Sequence, residues 1–389
     1  MGQVAASIPA RAPLTPESVN EGHGLPYCNS CNRVLTSSPV AGIGIKMNYD
    51  DFLRRIPKAE LHMHLIGSIR PATLIELAKK NRVTLPTNDP AELYNYDNIV
   101  DFLKIFDLAA PSMVDRDDFA RVSFETLEDG VKLGNLKYRE MFFNPTSHTM
   151  EGIAYTTVID GIVDGIREAE KRYGVKCRLI AAIHRGHTPS AAQAMIEEVV
   201  DHRRDEVIGL GSDALPADGT EGLELFVETY AYAKQHGLKL TAHCAEQPGT
   251  AANYIYALDT LKCDRIDHGY RVLDDPRVLA RARDEATWFT CAPTSTAQVY
   301  GWPDMSRHPI RSMVEQGLRV TLNSDDPPMF KTDIGREYVV ACNAMGFDAD
   351  KATELALNGV DGSWLDDGER RSLRAAFVRE IAELRTHLA

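Results

Sequence analysis

The sequence predicts a (β/α)8 barrel. From about residue 50 onward, short apolar runs alternate with longer amphipathic stretches, the pattern of parallel strands that are each followed by a helix. The apolar runs number eight, the strand count of a closed barrel. Several amphipathic stretches end in a residue that commonly follows a helix C-terminus: Gly174, Gly237 and Gly317. A doubly wound open sheet is the alternative, but it usually has fewer strands, and no GxGxxG follows the first run.

The predicted strands recur along the whole barrel region. They are residues 59–65, 136–143, 176–184, 207–212, 238–245, 265–270, 287–292 and 319–323. Two segments exceed the simple repeat. Residues 95–134 are long and helical and could cover the barrel mouth. Residues 335–389 continue past the last strand as helices that we expect to pack on the outside.

Residues 1–47 are predicted to be a loosely structured extension, and residues 48–389 the barrel domain. The extension is rich in Ala, Pro, Ser and Gly and has no sustained periodicity. Cys28 and Cys31 form a lone CxxC, with His23 as a conceivable third ligand. Half a zinc site is weak evidence for a metal, and a pair of free thiols is the alternative.

Composition narrows the class of protein. The chain has 389 residues and a formal net charge of −13, with no basic stripe, which disfavours nucleic acid and anionic membrane as partners. It lacks an apolar run long enough to span a bilayer and an N-terminal apolar region typical of a secretory signal. Seven cysteines, mostly inside apolar runs, favour reduced thiols and a cytoplasmic location. The oligomeric state cannot be read from the sequence.

Ionisable residues stand near the C-terminal ends of four predicted strands. They are His62 and His64 on the first, His243 and Glu246 on the fifth, His268 on the sixth, and Asp325 and Asp326 on the eighth. In a barrel these ends meet at one face, where catalytic groups are kept. Each group alone has an ordinary explanation as a hydrogen-bonded core histidine or a helix N-cap. Together they would be costly to bury without a function or a cation.

Three imidazoles and one carboxylate suit one Zn²⁺, or a similar first-row ion, with a position left for water. His62, His64 and His243 are the candidate nitrogen ligands, and Asp325 is the candidate oxygen ligand. A water bound there would fall in pKa to about 7 and supply hydroxide at neutral pH.

The remaining polar residues at this face suit proton transfer. Glu246 is not needed as a ligand and is placed to donate a proton. His268 and Asp326 could orient the hydroxide and accept its proton.

Residues from about 50 to 345 resemble the adenosine deaminase family of metal-dependent aminohydrolases. The resemblance rests on an ordered set of motifs: PKAELHMHLIGSI, FLKIFDLAAP, AHCAE, RIDHGYRV, CAPTS, HPI and VTLNSDDP. It implies the metal-dependent hydrolase type of barrel and the same four zinc ligands. It further implies that Glu246 protonates the purine nitrogen beside the amino-bearing carbon, that His268 acts as base, and that Asp326 positions the hydroxide. The implied reaction is hydrolytic deamination of a 6-aminopurine to a 6-oxopurine, with release of ammonia.

The chain departs from the family pattern at several positions. The family usually has HAGE where this chain has HCAE, so Ala245 replaces a glycine beside the site. The loop after the fourth strand, GLGSDALPADG, matches neither the adenosine-type nor the adenine-type version. We assign Gly211, Ser212 and Asp213 there to purine binding. No lysine lies at that strand end, which argues against the two-metal amidohydrolases.

Ile66 is the sharpest departure. Adenosine deaminases generally carry an aspartate there, which binds the ribose 5′-hydroxyl, and adenine deaminases carry a glutamate. Isoleucine can do neither, so we predict a deaminase of adenosine or a 5′-modified adenosine with Ile66 near the sugar; the alternative is that Ile66 only packs in the core. Leu103 and Phe106 are predicted apolar gate residues on the roof helix, or ordinary helix-packing residues.

Two other functions remain open. The phrase REMFFNPTSH is similar to adenine deaminases acting on the free base, whereas CAPTS is closer to the nucleoside enzymes. A catalytically silent binding protein of the same fold is the other alternative, although every ligand and catalytic group is present. A cytidine-deaminase-type fold is excluded because its PCxxC zinc signature is absent.

Overall fold

The computed structural model describes residues 46–96, 99–246, 249–299 and 302–389. Most of the predicted extension, with His23, Cys28 and Cys31, lies outside the described residues. Among the described helices, none combines the length and apolar character needed to cross a bilayer.

The described residues form nine strands, and every pairing between them is parallel. They are β1 Lys58–Glu60, β2 Leu136–Phe143, β3 Lys176–His184, β4 Val207–Asp213, β5 Lys239–Leu240, β6 His243–Cys244, β7 Ile266–His268, β8 Trp288–Cys291 and β9 Arg319–Leu322. One sheet has the order β1-β2-β3-β4-β5 and the other β6-β7-β8-β9. The predicted fifth strand corresponds to β5 and β6, and the two residues between them, Thr241 and Ala242, still bond to the neighbouring strands at Leu210 and Asp267.

The last strand meets the first. Just beyond β1 and β9, Met63 and Asp325 pair as a parallel bridge, and the His64 N–H donates to the Asp325 carbonyl at 2.8 Å. The Leu61 N–H donates to the side chain of Asn323, also at 2.8 Å. The predicted parallel α/β architecture is confirmed, and these bonds bring both ends of the strand series to one place.

The helices follow the strands as predicted. They are α1 Tyr49–Arg55, α2 Pro71–Asn81, α3 Ile99–Ala109, α4 Arg116–Gly134, α5 Thr146–Thr149, α6 Tyr155–Tyr173, α7 Pro189–Asp201, α8 Val227–Gln235, α9 Ala251–Asp259, α10 Pro276–Asp284, α11 Pro293–Val299, α12 Pro309–Glu315, α13 Ile334–Met345, α14 Ala349–Asp361 and α15 Asp367–Arg385. The long segment between the first two strands contains α3 and α4, and the C-terminal segment contains α13, α14 and α15.

Close packing of α4 against α6 depends on two glycines. A Cβ at Gly161 would lie 2.4 Å from the Arg116 carbonyl oxygen, and one at Gly165 would lie 2.3 Å from that of Ala120. Because any side chain at these two positions would meet backbone, the helices approach more closely than larger residues permit.

Two buried ion pairs occupy the region below the strand ends. Arg139 pairs with Glu60 at 2.6 Å, and Arg265 pairs with Glu140. The Glu60 carboxylate also accepts from the Ser324 N–H at 2.8 Å, and Arg265 donates to the Leu61 carbonyl at 2.9 Å. Since Leu61 and Ser324 directly precede His62 and Asp325 in the chain, this network fixes the backbone from which those two side chains project.

Candidate active site

Four side chains converge where the first, fifth and last strands end. The ligand atoms of His62, His64, His243 and Asp325 all lie within 4.8 Å of one another, and all four residues are buried. Asp325 Oδ1 is 3.3 Å from His62 Nε2 and 3.4 Å from His64 Nε2, and the Nε2 atoms of His64 and His243 are 3.2 Å apart. Three imidazole nitrogens and a carboxylate oxygen at this spacing form a metal-binding cluster.

A second set of side chains orients the imidazoles. The Asp267 carboxylate lies 3.4 Å from Nδ1 of His62 and 3.4 Å from Nδ1 of His243. Thr290 donates a hydrogen bond of 2.8 Å to the same carboxylate. Burial raises the pKa of Asp267, but its hydrogen bonds to His243 and His62 outweigh burial and hold that pKa well below its usual value. In both rings Nδ1 therefore faces the Asp267 carboxylate, and Nε2 is directed toward the centre of the cluster.

His64 is oriented in the same way by a different acid. Its Nδ1 lies 3.3 Å from Asp213 Oδ2, and Asn144 donates to both oxygens of that carboxylate at 2.9 and 2.8 Å. Within the described residues, His62 Nε2 is buried and has no hydrogen-bond partner. This buried nitrogen faces a carboxylate and two more imidazoles. A bound cation would satisfy all four groups, so the residues fit a metal ion.

The backbone at the strand ends is strained. Asp325 and His268 adopt the left-handed region, with φ of 63° and 65°, which costs a non-glycine residue about 1–2 kcal/mol. Ala245 has φ of 50°, so it carries similar strain where the family usually has glycine. The Glu221 carboxylate accepts from the N–H groups of Ala245 and Glu246, both at 3.0 Å, and holds this turn in place.

The three residues predicted to transfer protons surround the cluster. Glu246 Oε1 lies 3.4 Å from His268 Nδ1, and both side chains are buried. Burial, reinforced by the charge of Asp325, raises the pKa of Glu246 well above its usual value. Burial also raises the pKa of Asp326 to about 8, with Asp325 adding to the effect.

Asp326 depends on the glycine that follows Ile66. A Cβ at Gly67 would lie 1.7 Å from Asp326 Oδ1 and 2.4 Å from its Cβ. Since no side chain fits there, Gly67 sets how closely the turn after the first strand approaches this carboxylate.

A cavity of about 130 Å³ opens beside the cluster. It is lined by His64, Phe102, Leu103, Phe106, Asp107, His184, Asp213, Ala214, His243, Glu246, His268, Ser295, Val299, Asp325, Asp326 and Phe330. The α3 residue Phe102 stacks on Phe330 with ring centroids 4.7 Å apart. Leu103 and Phe106 also line the cavity, and they belong to the helix predicted to cover the barrel mouth.

Residues 57–379 match the family model described as Adenosine deaminase. The chain belongs to this family. As a member of the adenosine deaminase family it is a hydrolase acting on C–N bonds in cyclic amidines, as the sequence predicted.

Named relatives refine the comparison. The adenine deaminase of Caulobacter vibrioides is 34% identical over 329 residues, which cover 84% of this chain and 94% of the relative. The adenine deaminase of Zymomonas mobilis is 35% identical over 323 residues, covering 82% and 94%. Among solved structures, an amidohydrolase from Burkholderia ambifaria with bound zinc is 32% identical, with a TM-score of 0.82 and coverage of 89% and 96%. The adenine deaminase of Arthrobacter aurescens is 28% identical, with a TM-score of 0.77 and coverage of 84% and 98%.

Three of the predicted substrate-binding residues are not in the cavity wall. Ile66 is 1% exposed and packs in the hydrophobic core, within the 3₁₀ turn Ile66–Ser68. A Cβ at Gly211 would meet Phe142. The Ser212 hydroxyl accepts a hydrogen bond of 2.9 Å from Tyr230. Asp213 does line the cavity, but its carboxylate is engaged with His64 and Asn144.

Sequence reasoning missed several residues that the structure brings to the site. Asp267 lies inside the quoted motif RIDHGYRV and Asn144 directly follows the second strand, so both carried the same signal as His268: a polar residue at a strand end. His184 ends the third strand and carried that signal too. Ser295, which donates to Asp325 Oδ2 at 2.5 Å, stands in the quoted CAPTS motif.

Proposed function

We propose that this protein is an adenine deaminase, which hydrolyses the free base to hypoxanthine and ammonia. The observation that supports this proposal most directly is that relatives matched over more than 80% of this chain are adenine deaminases. The sequence alone favoured adenosine or a 5′-modified adenosine, with the free base as the alternative. The comparisons support that alternative better.

The size of the cavity supports a small substrate. Its volume of about 130 Å³ is below the roughly 300–1,000 Å³ of sites that enclose drug-sized ligands. The position of Ile66 removes the reason for expecting a modified sugar site, because that side chain packs in the core and does not line the cavity.

We infer that the ion is zinc, one per chain, held by His62, His64, His243 and Asp325. A zinc-containing structure at 32% identity supports this choice, as does the nitrogen-rich ligand set. When bound, such an ion would lower the pKa of a coordinated water to about 7.

Side chains of this protein would donate and accept the protons that the reaction transfers. Glu246, whose pKa burial raises well above its usual value, would donate to the ring nitrogen next to the amino-bearing carbon and make that carbon electrophilic. His268, 3.4 Å from Glu246, would accept a proton from the attacking water, and Asp326 would orient that water. Phe102 and Phe330 would close the cavity against bulk water. One water is consumed, and the amino group leaves as ammonia.

Ammonia release from adenine, adenosine and 5′-deoxyadenosine tests the substrate. We expect kcat/KM for adenine to exceed that for either nucleoside by roughly a hundredfold or more, because a cavity of about 130 Å³ would leave little space for a sugar at N9. The Glu246→Gln variant is the matched control, and it should keep its metal while losing turnover of adenine. A preference for adenosine would overturn the proposal in favour of the nucleoside.

A further inference from the structure

His184 is a polar side chain in the cavity wall to which no role has been assigned. It is the last residue of β3, is half-buried, and pairs in register with Asp213 at the end of β4. Asp213 orients the metal ligand His64, so His184 stands one strand away from the cluster. We propose that His184 is a specificity-determining residue that donates a hydrogen bond from Nε2–H to N3 of the purine. This inference rests on the proposed function.

The local backbone fixes which nitrogen of His184 carries the proton. The Gly186 N–H donates to His184 Nδ1 at 3.2 Å. Because Nδ1 is an acceptor there, the neutral ring carries its proton on Nε2. No described residue accepts a hydrogen bond from that nitrogen, so it is a donor available to a ligand in the cavity.

The ring is also held in orientation before any ligand binds. His187 stacks on it with centroids 4.3 Å apart and planes at 24°, and the Nδ1 of His187 is itself 3.0 Å from the Thr146 hydroxyl. A Cβ at Gly186 would lie 2.9 Å from His184 Cε1. The turn after β3 is therefore shaped to the imidazole, and little rotamer freedom remains to be lost on binding.

The other polar groups in the wall are already engaged. Asp213 holds His64 and accepts twice from Asn144, and Ser295 donates to Asp325. Glu246, His268 and Asp326 are assigned to proton transfer, and the remaining ligands to the metal. Asp107 lies exposed on α3. Among the described side chains of the wall, this leaves His184 as the half-buried donor for a base.

Strand order selects N3 as its partner. If the amino-bearing carbon faces the cluster and N1 faces Glu246 beyond β6, the next acceptor around the six-membered ring is N3. β3 lies between the first strand and the fifth, so in this pose its end would border the ring edge beyond N1. A donor at this edge would bind free adenine and adenosine equally. The role of His184 can therefore be tested separately from the question of whether the substrate is the base or the nucleoside.

The test compares adenine with 3-deazaadenine, in which N3 is replaced by C–H. In the His184→Leu variant we expect kcat/KM for adenine to fall roughly tenfold, the usual worth of one hydrogen bond to a buried ligand. Turnover of 3-deazaadenine should change less than twofold. His184→Asn, which keeps an N–H donor, should recover part of the loss, and both variants should keep wild-type metal content.

Equal losses on the two substrates would overturn the assignment of His184 and leave the proposed function standing. If the wild-type enzyme acts on adenosine and not on adenine, the proposed function fails. The same comparison with 3-deazaadenosine then decides the role of His184. Calorimetric dissociation constants for adenine and 3-deazaadenine give a second readout that does not depend on turnover. An adenine to 3-deazaadenine affinity ratio that is identical in wild type and His184→Leu would also overturn the inference.

Discussion

At the residue scale, the catalytic face is built from contacts that leave little space for change. Asp326 lies against Gly67, Asp267 serves two histidines at once, and Asp325 holds a left-handed backbone conformation. Strain of this kind persists only where surrounding structure imposes it. Small changes at these positions should therefore affect activity more than folding.

Replacing Gly67 with alanine should displace Asp326, because the new Cβ would lie 1.7 Å from its Oδ1. We expect kcat for adenine to fall by roughly a hundredfold, the cost of a misplaced group near the chemistry. Metal content should be unchanged. Gly368→Ala is the control, since its Cβ would meet only the Asp366 carboxylate at 3.2 Å on the outer helix α15. Full activity in Gly67→Ala would contradict the close approach.

Replacing Asp267 with asparagine should weaken the metal site. The amide cannot accept from both Nδ1 atoms as the carboxylate does, so His62 and His243 lose their shared orientation. We expect metal affinity to fall by roughly ten- to a hundredfold, the usual cost of losing such an outer partner. Competition with a chelator measures it. Asp264→Asn, an exposed acid on the same segment, should bind metal as the wild type does, and equal affinity in both variants would contradict the role of Asp267.

At the scale of elements, most strands could be predicted because their apolar runs are long and bounded by turn residues. β2 and β3 have the bounds that the sequence predicted. The first strand is shorter than predicted. The ladder ends at Glu60, because Leu61 bonds to the Asn323 side chain, while Met63 and His64 form only single bridges. That termination depends on residues distant in sequence, so periodicity alone could not show it.

Helices α4 and α6 provide a test of packing. Gly165→Ala would place a Cβ 2.3 Å from the Ala120 carbonyl oxygen and force the pair apart. We expect the free energy of unfolding to fall by about 1–3 kcal/mol, the usual cost of overpacking, as measured by urea denaturation. Glu170→Ala on the exposed face of α6 should change it by less than about 0.5 kcal/mol. An unchanged midpoint for Gly165→Ala would show that the helices can separate without cost.

At the scale of the whole molecule, stability should depend on pH through a buried histidine remote from the metal cluster. His148 packs edge-on against Phe119, and its Nδ1 has no hydrogen-bond partner among the described residues. Burial lowers its pKa from 6.5 to about 4. The unfolded chain therefore binds more protons than the folded one between these values. Relative to low pH, neutral His148 therefore adds to the free energy of unfolding. This stabilisation is fully present above pH 6.5 and is lost as the pH falls through about 4.

The full contribution is about 3 kcal/mol, and roughly 2 kcal/mol of it should already be lost at pH 5. His148→Phe should remove this part of the pH dependence, as measured by urea unfolding at pH 7.5 and pH 5. The exposed His387→Gln variant should keep the wild-type difference between the two pH values. The same difference in His148→Phe would show that other groups cause the acid sensitivity.

The candidate site divides in a similar way between what sequence could and could not predict. The cluster of candidate metal ligands could be predicted because each residue stands near a strand end, and a barrel brings strand ends together. The surroundings of the predicted purine contacts could not. Ser212 is adjacent to Asp213 in sequence, yet its hydroxyl is bonded to Tyr230, and only packing from α8 determines that. Ile66 likewise follows the histidine motif but turns into the core.

The bridge between Met63 and Asp325 has a consequence for how the protein matures. His62 and His64 leave the ribosome early, but the carboxylate that completes their ligand set follows only when nearly all of the strands have been synthesised. A nascent chain therefore cannot assemble this ligand set before β9 and Asp325 have been synthesised. Binding of an ion by all four side chains would report that both ends of the strand series have met, and for the same reason we expect a chelator to be most harmful to chains that have just been made.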